Sequence, residues 1–219
     1  VNYALHFGAV WASFDKLLSG LAIGLGLAVA AVAIGCLLGI LSAFASVSKL
    51  RLLRMVSGFY VLIIRNTPLL VLVLLAYFAL PSAGIRLDKY ESFIASLALY
   101  SGAYLTEVFR AGLLSVPKGI VEAARAIGLT RLQTNLHVVA PVMLRNVLPS
   151  LGNTFIGMFK DSSIAAAIAI PELTFEARKI NVDTFRVVET WTVASGLYIA
   201  ACFTIAFLLR RLERRFPKF

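Results

Sequence analysis

Five charged residues, Arg65, Glu107, Arg110, Lys160 and Asp161, interrupt stretches of the chain that are otherwise apolar. In hydrocarbon such a charge costs about 2.5–3.5 kcal/mol on insertion scales, so it pairs, faces water or binds something. Arg65 opens the run Arg65-Asn66-Thr67-Pro68, in which Pro68 withdraws a backbone donor and collides with the carbonyl of Ile64. A helix broken there offers Asn66 and Thr67 for contact with a ligand, and Arg65 for its carboxylate. The competing reading is a structural kink whose Arg65 reaches headgroups or a partner acid. Lys160-Asp161-Ser162-Ser163 makes a second interruption. Asp161 is placed to receive an α-amino or cationic group, Ser162 and Ser163 supply hydroxyls, and Lys160 neutralises Asp161 or points at another subunit. A satisfied ion pair or an inter-subunit contact is the alternative. Glu107 and Arg110 stand at i,i+3, the spacing of a pair on one helical face, while Glu107 is also a candidate for a pathway wall.

The elements that position these groups follow from composition. With 219 residues, 60% of them hydrophobic and 15% charged, and a mean hydropathy of +0.88, the chain is too apolar for a soluble domain. The uncharged runs 17–48, 66–85 and 190–209 each reach the ~20 residues that cross a bilayer as a helix. The run 17–48 far exceeds a signal h-region of about 7–15 residues, so it is expected to be retained. Stretches 92–114 and 142–170 are equally apolar apart from a few charges, and the distribution of basic residues decides whether they also cross. Three spans put the larger share of Lys and Arg outside. Five spans gather Lys49, Arg51, Arg54, Lys118, Arg125, Arg131, Arg145, Arg210, Arg211, Arg214, Arg215 and Lys218 on the inner side. The outer bases (Lys16, Arg86, Lys89, Arg178, Lys179 and Arg186) are then balanced by seven acids, so the net charge of +10 is mostly cytoplasmic anchoring.

The expectation is an all-α membrane protein forming one domain over 1–219, with five transmembrane helices near 17–47, 55–80, 92–115, 142–169 and 190–209. Its amino terminus is outside and its carboxyl terminus cytoplasmic, where residues 210–215 anchor at the anionic surface. Lipid demands internally satisfied backbone, and the alternation of a barrel is absent. Gly20, Gly24, Gly26, Gly35 and Gly39 allow close helix approach, with the GxxxG of Gly35 and Gly39 read as packing within this chain rather than a dimer seam. Cys36 and Cys202 lie in apolar runs and behave as small hydrophobes. His6 and His137 have no second ligand at metal spacing, so no metal is expected. Neither a basic domain nor a zinc pattern supports nucleic-acid binding.

Segment 117–140 is too long for a turn. Lys118-Gly119 is expected to break the preceding helix, 120–127 to form a short helix, Gly128 to turn the chain, and Thr130 to cap a second helix running toward Pro141. With Ile120, Ala123, Ala124, Ile127 and Leu129 on or near one side, this cytoplasmic hairpin seeks a protein groove; a helix lying on the bilayer or a DNA-type hairpin is the alternative.

Glu122-Ala123-Ala124, Gly128 six positions after the glutamate, and Val138-x-Ala140-Pro141 closely resemble the EAA motif of ABC-importer permease subunits, in which Ile-x-Leu usually precedes the proline. Arg65-Asn66-Thr67-Pro68-Leu69-Leu70, Gly102-Ala103-Tyr104-x-x-Glu107-x-x-Arg110, Pro149 and Lys160-Asp161-Ser162-Ser163 resemble recurring blocks of the polar amino-acid uptake branch, over roughly 20–210. The resemblance implies a type I ABC importer-like fold in a bacterial plasma (inner) membrane, moving polar or charged amino acids into the cytoplasm. It implies two ATP-binding subunits, a second copy or a similar permease, and an extracytoplasmic amino-acid-binding protein. Glu122, Ala123, Ala124, Gly128 and Pro141 then couple to the ATPase. ATP and Mg belong to partners and this chain needs no cofactor; it has no GxxxxGK[ST] run.

Two other classes stay open on the residues alone. An ion-coupled secondary transporter would protonate Glu107 or Asp161, but such proteins usually carry internal inverted repeats, which are not found. An intramembrane enzyme would use Glu107, Asp161 and Ser162 or Ser163, without a recognisable nucleophile–base pair. Segment 172–189, rich in charges of both signs, reads either as a docking surface for the binding protein or as a solvated loop.

Overall fold

The computed structural model describes residues 4–214; Val1 to Tyr3, and Arg215 and Lys218 of the basic tail, lie outside the described residues. A short helix α1 (Gly8–Trp11) precedes α2 (Phe14–Ser46), which runs without interruption because no proline occurs before Pro68. Its buried positions include Gly20, Gly24, Ala31, Gly35, Gly39 and Ala43, whereas Val29, Ile34, Leu37 and Leu41 are exposed. Bulk therefore faces outward and small residues inward, as expected where lipid is no more hostile to leucine than another helix is and close packing drives association.

The partner on that inner face is α5 (Lys89–Leu114), which opens with a capping box between Asp88 and Glu91. A Cβ on Gly39 would lie 2.7 Å from the Leu105 Cβ, and one on Gly35 would lie 3.1 Å from the Gly102 nitrogen. The GxxxG is thus filled by this chain's own third long helix, in keeping with the intrachain reading. The α2–α5 pair runs parallel, with Leu27 beside Phe93 and Leu97 at one level and Ala43 beside Leu105 and Phe109 at the other.

Between these two, α3 (Arg51–Arg65) and the helical stretch Leu69–Ala83, which begins with α4 (Leu69–Leu74), form a bent pair, turned by 99° at residues 66–68. Pro68 cannot continue α3, and it becomes the residue that starts α4. The chain then passes through a π-turn (Leu75–Ala79) and a 3-10 turn (Leu80–Ala83).

After α5 come α6 (Lys118–Ala126), α7 (Arg131–Thr134), a π-turn (Asn135–Val139), α8 (Ala140–Asp161), a 3-10 segment (Ser162–Ile168), α9 (Leu173–Thr184) and α10 (Val187–Glu213). Two details depart from expectation. Lys118 and Gly119 lie inside α6, because Pro117 already starts that helix and Pro is well placed just ahead of a first turn. Pro141 does not end the loop either, since residues 131–161 are helical throughout. The missing N–H of Pro141 is absorbed by the π-turn, in which the Ala140 N–H reaches the carbonyl of Asn135.

Among the described residues α2 and α10 are long and apolar enough to cross a membrane, and the α3–α4 pair adds a third if it counts as one span. Helices α5 and α8 carry Glu107 and Arg110, and Arg145, Lys160 and Asp161, which removes them from a purely compositional criterion.

Segment 172–189 is not a solvated loop. Glu172 and Glu189 at its ends are fully buried. Glu172 caps α9 by accepting the N–H groups of Thr174 and Phe175, each at 2.9 Å, and the Tyr198 hydroxyl at 3.0 Å. Burial pushes its carboxyl above the usual range, against the pull of those donors. Glu189 accepts the His6 N–H at 2.8 Å and faces Arg186 at 3.6 Å, fastening the amino-terminal segment to the start of α10.

Candidate substrate site and coupling loop

The end of α3 is closed by its own side chains. Asn66 Nδ2 donates to the Leu62 carbonyl at 2.7 Å and Thr67 Oγ1 donates to the Ile63 carbonyl at 2.9 Å. Thr67 thereby spends its hydroxyl hydrogen and Asn66 one of its two amide hydrogens on the helix, Pro68 has no N–H, and the side-chain oxygens of Asn66 and Thr67 stay available as acceptors. Such a break suits an ammonium group. Arg65, just before it, lays its guanidinium 5.0 Å from the centroid of the Tyr104 ring.

Tyr104 in turn meets Tyr100 one helical turn away, with ring centroids 4.9 Å apart and hydroxyl oxygens at 3.2 Å. Both tyrosines pack against the apolar cluster that contains Met158 and Ala165, which flank Asp161 in the chain. Asp161 is half-buried and its side chain has no hydrogen bond or ion pair with a described residue.

An opening of about 590 Å³ lies between α3 and α5, lined among others by Arg54, Arg65, Asn66, Tyr104, Glu107 and Arg110. Arg110 Nη2 contacts Glu107 Oε2 at 2.6 Å, with Arg110 Nε also in reach of both carboxylate oxygens. One of the three guanidinium groups on the wall is thus neutralised by the single carboxylate. What remains is a positive opening of ligand size.

Not every sequence candidate reaches this region. Ser162 is fully buried, donates to the Phe159 carbonyl at 2.7 Å and packs where a Cβ on Gly24 would stand 3.0 Å from its oxygen. It positions α8 against α2 rather than facing a ligand. Ser163 is half-buried. Tyr100 was missed in the sequence reading; its i,i+4 spacing to Tyr104 was the available signal. No group of three or more potential metal ligands occurs among the described residues.

In the loop, α6 exposes Glu122, Ala123 and Ile127, the last 80% exposed, while Ala124 turns inward. Gly128, at φ +90°, ends α6 with a paired closure: its N–H meets the Arg125 carbonyl at 3.0 Å and the Leu129 N–H meets that of Ala124 at 3.2 Å. Thr130 then starts α7 in a reciprocal capping box with Gln133.

Residues 35–218 match the family of binding-protein-dependent transport system inner membrane components. The chain belongs to that family. As a permease component it is non-enzymatic, it is an inner membrane protein, and its system includes ATPase subunits and a binding protein. The permease is 36% identical over 211 residues to the glutamine transport system permease protein of Escherichia coli strain K12, covering 95% of this chain and 96% of the relative. It is 36% identical to the L-cystine transport system permease protein of Bacillus subtilis strain 168, over 99% and 93% of the two chains. It superposes on a chain in the crystal structure of an amino acid ABC transporter with histidines at a TM-score of 0.89 and 35% identity, covering 97% of this permease and 100% of that chain.

Proposed function

We propose that the chain is the membrane-spanning permease of an ATP-driven importer for polar amino acids. The observation that carries this reading is Arg65, whose guanidinium is held over the Tyr104 ring on the wall of the opening between α3 and α5, with the half-buried Asp161 at the end of α8, which packs against α5. An amino acid carries the complementary pair, with its carboxylate toward Arg65 and its ammonium toward Asp161 and the acceptors of Asn66 and Thr67. The relatives that transport glutamine and cystine support a polar substrate.

The chain crosses the membrane five times near 17–47, 55–80, 92–115, 142–169 and 190–209, with the amino terminus outside and the carboxyl terminus inside. This puts Arg210 and Arg211 in the last turn of α10, and Arg214 just after it, on the cytoplasmic side, together with the loop of α6 and α7. Two ATP-binding subunits grip that loop through Glu122, Ala123 and neighbouring exposed side chains, with Gly128 and Pro141 shaping it. Because helix continues from Arg131 to Asp161, movement of the loop reaches Asp161. A second copy or a similar permease completes the pathway.

The deciding experiment is ATPase activity in proteoliposomes of the chain with its co-purified partners, with and without a binding protein loaded with individual amino acids. Stimulation by one loaded form, accompanied by uptake, is expected. Uptake that follows a proton or sodium gradient without any ATPase would overturn the proposal.

A further inference from the structure

A second groove, of about 390 Å³, runs between the latter half of α2 and α3, lined chiefly by Leu38, Leu41, Ala45, Leu53, Val56 and Tyr60. Its polar groups are already satisfied within the chain. Ser57 donates to the Ser42 carbonyl at 2.9 Å, the two serine hydroxyls lie 2.9 Å apart, and the Tyr60 hydroxyl donates to the Leu99 carbonyl at 2.7 Å. An occupant gains no hydrogen bond there, so the groove selects hydrocarbon.

The end of the groove has the opposite character. The connection 47–50 carries Lys49, and α3 begins with Arg51 and Arg54, all three exposed. Arg54 closes the connection by donating to the carbonyls of Ser48 and Lys49 at 2.8 and 3.1 Å. No Asp or Glu occurs between Asp15 and Asp88, and neither Lys49 nor Arg51 has an ion pair among the described residues. Bases in the first turn of a helix also oppose its macrodipole, so an anion at this end meets three positive charges and the helix terminus together.

We propose that this groove binds an anionic phospholipid, with an acyl chain between α2 and α3 and the phosphate at Lys49, Arg51 and the start of α3. Charge complementarity distinguishes this occupant from a zwitterionic lipid, which fits the groove but not its end. A second copy of the chain seated here would have to enclose both bases without an acid from this segment.

The test is native mass spectrometry of the chain purified with its accompanying subunits, after equal phosphatidylglycerol and phosphatidylcholine have been offered in mild detergent. Preferential retention of phosphatidylglycerol is expected, falling about fivefold for each of Lys49→Gln and Arg51→Gln. Ala45→Phe, which fills the groove, should abolish retention of either lipid, with thermal unfolding confirming that each variant is folded. Equal retention of the two lipids, retention of neither, or efficient cross-linking of Ala45→Cys to a second permease copy would each overturn the proposal.

Discussion

The guanidinium of Arg65 stands 5.0 Å from the centroid of the Tyr104 ring, so an arginine at a broken helix is held by an aromatic face instead of an acid. A carboxylate partner would neutralise Arg65; a ring leaves its full charge for a substrate. Tyr104→Leu removes a contact of about 0.5–2 kcal/mol, and uptake is expected to show a KM raised about two- to thirtyfold. Tyr104→Phe keeps the ring and should lie much closer to wild type. Identical kinetics for Tyr104→Leu and wild type would reduce the contact to packing.

Where α2 meets α5, Gly39→Ala forces a methyl to within 2.7 Å of the Leu105 Cβ. Overpacking of this kind costs about 1–3 kcal/mol, read as a lowered unfolding temperature in detergent. Gly26→Ala, with nothing within 4 Å of its Cβ, is the control. That control should be neutral or slightly stabilising.

Gly128 sits at φ +90° with no atom within 4 Å of a Cβ, so substitution there meets backbone strain but no clash. Gly128→Asp is expected to insert and fold, yet to uncouple ATP hydrolysis from uptake. Transport at the wild-type rate in proteoliposomes would show that the turn does not set the coupling geometry.

Pro141→Ala restores an N–H that can reach the carbonyl of His137, allowing the π-turn at Asn135–Val139 to relax to α-helix. Losing the extra residue of a π-turn rotates everything before it by about 100° relative to α8. Hydrogen exchange across the turn should slow, and uptake should fall while ATPase activity persists.

Glu172 binds its proton more tightly in the folded chain than the unfolded value of about 4.3, because it is buried. Its protonated form stabilises the fold fully below that unfolded value, and the contribution is lost as pH rises through the folded value. Glu172→Gln should remove this slope. Unfolding temperatures measured from pH 4 to 8 should decline for wild type relative to the variant.

The polar interruptions were legible because a charge in an apolar run is costly wherever the helix lies, and Arg65, Glu107 and Asp161 announce themselves on that ground alone. Ser162 and Ser163 could not be told apart in the same way. Which hydroxyl is buried depends on the phase of a helix that changes from α to 3-10 between them and Asp161. Glu172 and Glu189 looked solvated because their neighbours in sequence are charged, while their partners, Tyr198 and His6, are distant in sequence. Pro141 was read as a terminus because proline usually is one; the π-turn that accommodates it has no sequence signature. The apolar pattern likewise located α2 and α10, and the glycines of α2 announced a close helix contact without saying that α5 would make it.

The unbroken helix from Arg131 to Asp161 is, mechanically, a beam of about 45 Å. Tilting it by about 5° around its middle would move its ends by about 2 Å in opposite directions, from the 1.5 Å rise per residue. A push on the loop would then open or narrow the gap between Asp161 and Arg65 without any change inside the beam. Stiffness between those points, rather than any single contact, would set how much of the stroke is delivered.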